Sequence, residues 1–184
     1  MCTEKQKMLR GDLYNASDKQ LVSERTRARL LLKRLNNAND SEQELRQHIL
    51  RELIPDQGND LWIEPPFFCD YGTNISVGNK VFFNFNCILL DVMKITIGNN
   101  ILFGPSVQIY TAMHPMDSKE RVSGLEFAKP IVIGSDTWIG GGVIICPGVT
   151  IGNRCVIGAG SVVTKDVSDD TFAAGNPCRA IKSL

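Results

Sequence analysis

The chain has 184 residues, enough for one domain with an appendage, and its 20 Lys and Arg balance 20 Asp and Glu. A net charge of zero gives no global field for nucleic acid or an anionic membrane, though it is compatible with local patches. No apolar run approaches the ~20 residues that span a bilayer, and the polar residues 1–7 lack the apolar core of a signal peptide, so the cytoplasm is the expected location.

In chain order, the residues from Glu4 to Arg10 suit a short helix, with Gly11 as its stop. Ser17-Asp18-Lys19-Gln20 has the form of a capping box. The helix that follows runs to about Asn36, with Leu21, Ala28, Leu31, Leu32 and Leu35 on its apolar face. Arg25, Arg27, Arg29, Lys33 and Arg34 cover the remainder and read as a solvated face. Ser41-Glu42-Gln43-Glu44 forms a second capping box, opening a helix to about Ile54 that Pro55 closes. His48 sits in this helix as a surface or packing residue. Residues 1–60 are therefore expected to form an α-helical cap over one end of a β domain spanning 61–184.

The β domain announces itself by a period of six. Ile133-Gly134, Ile139-Gly140, Ile145-Cys146, Ile151-Gly152 and Ile157-Gly158 repeat an inward aliphatic residue followed by a corner residue. Such a repeat marks a parallel β-helix, and three hexads make a triangular coil of about 18 residues. The frame extends back through Ile97-Gly98, Phe103-Gly104 and Ile109-Tyr110, and earlier through Tyr71-Gly72, Val77-Gly78, Phe83-Asn84 and Leu89-Leu90. A two-residue slip near Met93-Lys94 and an inserted loop at 115–129 interrupt it. Beyond Gly175-Asn176-Pro177 the residues from Cys178 to Leu184 are expected to leave as a turn or short tail. The six cysteines contain no C-x-x-C pair, so they read as small buried hydrophobes in a reducing compartment. Cys69 and Cys87 lie 18 positions apart, and an 18-residue coil would stack them.

Chemistry is expected where the repeat is violated. His114 stands at the mouth of the insertion, on a loop held by a rigid scaffold, and histidine can take and return a proton near neutral pH. Asn84 occupies a corner where its counterparts are mostly glycine. It reads either as a turn residue or as an amide lining a cleft beside His114. Beside Thr164, the residues Lys165, Arg179 and Lys182 gather positive charge at one end, either as a solvated rim or as a site for a phosphorylated ligand.

Several stretches together resemble a known family. They include Met8-Leu9-Arg10-Gly11-Asp12-Leu13-Tyr14, Ile63-Glu64-Pro65-Pro66, Asp70-Tyr71-Gly72, Asn84-Phe85-Asn86, Tyr110-Thr111-Ala112-Met113-His114-Pro115, Pro147-Gly148-Val149-Thr150-Ile151-Gly152 and Gly175-Asn176-Pro177-Cys178-Arg179. Over essentially its full length the chain resembles the maltose/galactoside O-acetyltransferases, a branch of the hexapeptide-repeat acyltransferases. That resemblance implies a mainly β fold, a left-handed parallel β-helix with an N-terminal helical cap and one long inserted loop. It implies a homotrimer with active sites between subunits, acetyl-CoA as co-substrate, a small sugar as acceptor and no metal.

The resemblance also assigns roles. His114 matches the general base that deprotonates a sugar hydroxyl for direct attack on the acetyl thioester, and Asn84 matches a residue stabilising the transition state. Trp138, Gly141 and Ala159 match the pantetheine track, with a backbone N–H near Gly141 facing the developing oxyanion. Thr164, Lys165, Arg179 and Lys182 match contacts to the nucleotide end of coenzyme A. Asp70 matches an acceptor contact, Asp91 lies near another, and Glu126 and Asp18 are further acceptor-side positions. Gly141 and Asp70 stand where some galactoside-type members carry serine, and Ala16 where they carry an acid, which bears on the acceptor. The competing expectation on the same fold is acetylation of an antibiotic hydroxyl. A γ-class carbonic anhydrase would need three histidine ligands, and the chain has two histidines.

Overall fold

Strands such as Ile75–Val77, Val81–Phe83 and Ile95–Ile97 are three residues long, with two side chains buried and the middle one turned outward. This follows from the two-residue side-chain period of a strand. The structure, a computed structural model, describes residues 2–184. Its strands wind into a parallel β-helix with three faces. Face one stacks Asp56–Gln57, Ile75–Val77, Ile95–Ile97, Ile131–Ile133 and Thr150–Ile151. Face two runs from Leu61–Ile63 through Val81–Phe83, Ile101–Phe103, Trp138–Ile139 and Val156–Ile157 to Thr171–Ala174 and Arg179–Ser183. Face three stacks Phe67–Cys69, Cys87–Leu90, Gln108–Tyr110, Ile144–Ile145 and Val162–Val163.

The interior is a single column of aliphatic and aromatic side chains. Phe83 stacks on Phe103 with ring centroids 4.2 Å apart, and Phe67 meets Phe83 edge-on at 5.7 Å. At two of the corners the coils approach too closely for a Cβ. A Cβ on Gly134 would lie 2.6 Å from the carbonyl carbon of Gly152, and one on Gly140 would lie 2.6 Å from the amide nitrogen of Ala159. These glycines are there for space between coils.

The coil length is not uniform. Phe67 pairs with Cys87 and Ile75 with Ile95, offsets of 20, whereas Val132 pairs with Thr150 and Ile144 with Val162, offsets of 18. The first coils carry two extra residues where face three turns into face one, at 70–74 and again at 91–94. The slip expected at Met93-Lys94 is thus one of a pair. Two expectations change with it. Cys69 pairs with Leu89 and does not stack on Cys87. Tyr71 belongs to the widened corner, where it packs in a second small core with Met8, Tyr14, Leu21 and Met93.

Among the described residues four helices accompany the prism: α1 (Glu4–Arg10), α2 (Lys19–Asn37), α3 (Gln43–Leu53) and α4 (Ser118–Arg121). Leu31, Leu32 and Leu35 of α2 and Ile49, Leu50 and Leu53 of α3 join the interior column of the prism. The first rung is Asp56–Gln57, beginning five residues before the expected start at 61, and cap and solenoid share one core. Helix caps differ from the expectation. Asp18 caps α2 by accepting from the Gln20 and Leu21 N–H groups, displacing Ser17 from that role. Glu42 precedes α3 without capping it, because its carboxylate accepts from the Asn39 N–H instead. The true capping box is Thr3 with Gln6, at the start of α1. At the far end, residues 178–184 are not a tail: Arg179–Ser183 folds back antiparallel on Thr171–Ala174 and closes face two.

Candidate active site

The insertion is built as structure, with little of it left as free loop. Ala112–Met113 pairs antiparallel with Leu125–Ala128, which pairs on its other side with Tyr14–Asn15. Ala112 stands opposite Ala128, and Tyr14 opposite Glu126. Asp117 caps the single turn of α4 by accepting from the Glu120 N–H. His114 leaves the end of the Ala112–Met113 strand and is exposed, while Pro115 behind it is buried.

His114 opens into a cleft where the corners of successive coils meet the N-terminal segment. Its walls are Asp70, Leu90 and Val92 from the widened corners, Ala112 and Glu126 from the insertion, and Tyr14, Ala16, Arg25 and Arg29 from the cap. The Tyr14 hydroxyl, fully buried, donates to Glu126 Oε2 at 2.8 Å. Burial, and then that carboxylate partner, push the Tyr14 hydroxyl far above the usual phenol range. Arg25 donates to the Tyr71 hydroxyl and to the Ala16 carbonyl, each at 2.7 Å, and lies over the Tyr71 ring. Burial raises the Asp70 carboxyl, and Arg25 and Arg29 pull it back down.

The other expected residues fall into three groups. Asp70 and Glu126 line the cleft with His114. Asp91 and Asp18 do not. Asp91 is wholly buried beneath the corner, so it cannot touch an acceptor, and the Asp18 carboxylate is engaged as the α2 cap. Asn84 precedes the Cys87–Leu90 strand and Asp91 follows it, so at ~3.3 Å per residue the two corners of face three stand roughly 10–13 Å apart. Within one chain Asn84 is therefore not beside His114, and its side chain accepts from the neighbouring Phe85 N–H.

On the opposite side, Trp138 stands half-exposed on face two, paired with Leu102 above and Val156 below. Gly141 and Ala159 follow at the next corner in consecutive coils, each one residue past the column that stacks Asn84, Gly104, Gly140 and Gly158. Gly140 and Gly142 donate to the carbonyls of Ile157 and Pro105, while the Gly141 N–H has no acceptor among the described residues. Lys165 and Arg179 line one groove at the end of the prism, together with Asp166, Thr171 and Ala180. Lys182 lies further along the hairpin, opposite Phe172, and Thr164 stands exposed beside Lys165.

Comparison with known proteins decides the family. The maltose acetyltransferase hexapeptide capping motif matches residues 7–58, and the bacterial transferase hexapeptide (six repeats) matches residues 130–165. A crystal structure of a maltose O-acetyltransferase from Clostridium difficile 630 superposes with a TM-score of 0.98 at 53% identity, covering 99% of this chain and 97% of the other. The chain belongs to the maltose/galactoside O-acetyltransferase family. The galactoside O-acetyltransferase of Escherichia coli K12 is 40% identical over 95% of this chain and 86% of its own. A hexapeptide-repeat acetyltransferase of Vibrio cholerae O1 biovar eltor, complexed with acetyl coenzyme A, superposes with a TM-score of 0.91 at 40% identity, covering 99% and 98% of the two chains.

The cleft of this family member also takes in residues that the sequence reading left outside it. Arg25 and Arg29, read as solvated, face the cleft from one side of α2. Their four-residue spacing puts them on one helix face, which was the available signal. Tyr14 and Thr111 carried no such signal, because their partners lie far away in the sequence or on the backbone.

Proposed function

We propose that the protein transfers the acetyl group of acetyl-CoA to a hydroxyl of a small sugar, with His114 as general base. The observation that carries this reading is the cleft itself. His114 stands among two carboxylates and two guanidinium groups, a set of acceptors and donors suited to a polyhydroxylated ligand. His114 takes the proton as the sugar oxygen attacks the thioester carbonyl, and it returns the proton to the departing coenzyme A thiolate. The free Gly141 N–H supports its assignment to the developing oxyanion. The half-exposed Trp138, with Gly141 and Ala159 in successive coils, supports a pantetheine track ending at the Lys165–Arg179 groove, where cations suit the phosphates.

The complete site is assigned to a homotrimer. Asn84 and His114 lie at opposite ends of face three, so adjacent prisms are needed to join them. The exposed Phe68, Phe85 and Leu102 on the flanks of the prism suit such contacts. The six unpaired cysteines fit a cytoplasmic enzyme.

The test is acetyl-CoA-dependent thiol release against glucose, maltose, a galactoside and an antibiotic hydroxyl, with wild type and His114→Ala side by side. The variant is expected to lose ~10²–10⁴-fold in kcat with a sugar, the usual worth of a positioned acid–base group, and to keep its affinity for coenzyme A. Release only with the antibiotic would replace the sugar reading, and normal turnover by the variant would remove His114 from the chemistry.

A further inference from the structure

Asp91 is the most buried carboxylate in the protein, and it holds the corner from which Asp70 enters the wall of the cleft. Its side chain is fully enclosed at the second widened corner. Oδ1 accepts from the N–H groups of Asp70, at 2.8 Å, and Tyr71, at 2.9 Å, in the corner of the preceding coil. The Asp91 carbonyl accepts from Asn74 Nδ2 at 2.7 Å, which ties the far side of that same corner. Gly72, between them, has φ +73°, and a Cβ there would collide with the Leu53 carbonyl of α3. The corner is thus pressed from outside by the cap and drawn from within by one carboxylate.

From Asp91 the connection runs in both directions. Outward, Asp70 presents its carboxyl to the cleft, and the Tyr71 hydroxyl receives Arg25. Inward, Thr111 Oγ1 donates to the Leu90 carbonyl at 2.6 Å and accepts from the Met93 N–H at 3.0 Å. Thr111 lies three residues before His114. Three successive corners are therefore stitched by two side chains, Thr111 holding the Asp91 corner and Asp91 holding the Asp70 corner. One oxygen, Oδ1, takes both N–H groups. The other, Oδ2, is buried with no partner among the described residues. A buried carboxyl with an unpaired oxygen is costly, and a neutral amide would have held the same two N–H groups.

We propose that Asp91 is a positioning residue for the acceptor half of the site, setting Asp70 directly and Arg25 through Tyr71. The proposal rests on the sugar-acetyltransferase reading for its kinetic arm. Asp91 touches neither substrate; it fixes the groups that do.

The test compares Asp91→Ala, Asp91→Asn and Thr111→Val with wild type in initial-rate assays over both substrates. Asp91→Ala is expected to raise the acceptor KM by about tenfold or more while leaving the acetyl-CoA KM within about twofold, because acceptor binding alone depends on this corner. Asp91→Asn keeps an acceptor for the two N–H groups and is expected to recover the acceptor KM to within about threefold of wild type. Thr111→Val, which loses both hydrogen bonds at nearly constant volume, is expected to move in the same direction as Asp91→Ala and serves if that variant does not fold. An unchanged acceptor KM, or an equal rise in both constants, would overturn the proposal. A crystal structure of Asp91→Ala, or of Thr111→Val, forms a second arm that needs no acceptor. In Asp91→Ala the Asp70 carboxylate is expected to leave its wild-type position, and in Thr111→Val the Asp91 corner is expected to shift. An unmoved corner in the variant solved overturns the proposal. Wild type silent with every sugar, alongside a displaced corner in the variant, would overturn the acceptor reading and leave the positioning role standing.

Discussion

Burial separates Asp91 from the other carboxylates of the protein. Desolvation outweighs its backbone hydrogen bonds and pushes its pKa from 3.8 up to about 7, with Asp70 beside it adding to the rise. The titratable groups facing it are Cys69, Asp70 and Tyr71, and burial raises each of them too. A raised carboxyl pKa means that the folded state holds its proton more tightly than the unfolded chain. Its contribution to stability is then full below pH ~4 and is lost as pH rises through ~7. Asp91→Asn lacks this slope. The melting temperature of the variant, measured relative to wild type, is expected to climb between pH 4 and pH 7; a constant difference across that range would refute the shift. At the other end of the prism, Lys165→Ala and Arg179→Ala are each expected to raise the KM for acetyl-CoA severalfold and leave the acceptor KM alone. If neither moves it, the groove is a solvated rim. His114, Asp70 and Glu126 were legible as candidates from motif and position. Asp91 was legible as a residue but not in its role, because burial beneath a neighbouring corner leaves no mark in local sequence. Arg25 was misjudged because a charged residue on an amphipathic helix looks the same whether water or another chain segment lies opposite.

The elements were legible to the degree that they repeat. From Ile131 to Val163 each coil takes 18 residues, so inward positions recur at a constant interval, and only the closing turn is shorter, with Ile151 opposite Val167 and Ile157 opposite Ala173. Before that point the two-residue additions at one corner shift the count while preserving the alternation of side chains, which disguised Tyr71 as an inward strand residue. The sheet formed by the insertion was not legible, since Leu125–Ala128 finds its outer partner in Tyr14–Asn15 at the other end of the chain. The repeat also makes a prediction about glycine. A methyl group at Gly134 would sit 2.6–2.7 Å from the backbone of Gly152 and Asn153, and neither can yield without spreading two coils. Gly134→Ala is expected to cost about 1–3 kcal/mol in chemical denaturation, the usual range for overpacking. A variant as stable as wild type would show that the coils tolerate wider spacing.

At the scale of the whole molecule, the chain closes both ends of its prism, with α2 and α3 over the first rungs and the Arg179–Ser183 hairpin strand along the last. Open sheet edges invite pairing with other chains, and these covers limit it. The flanks remain apolar in places, with Phe68, Phe85, Leu102 and Trp138 each between 44% and 55% exposed. Light scattering is expected to give three times the 20.3 kDa of one chain. A fully active monomer would contradict the assignment of Asn84 and His114 to one shared site.

The uneven coil length has a further meaning. The solenoid residues assigned to the acceptor, from Asp70 through His114 to Glu126, lie in the part of the chain where one corner has been lengthened, and Arg25 and Arg29 reach the same cleft from the cap. Every residue assigned to coenzyme A, from Trp138 to Lys182, lies in the part with the regular pitch, apart from the closing hairpin. A lengthened corner adds chain on one edge of the solenoid and leaves the other two edges in register. On that assignment an insertion would reshape the acceptor side, one loop at a time, without disturbing the coils assigned to the donor. Such a scaffold would diversify in what it acetylates long before it changed what it acetylates with.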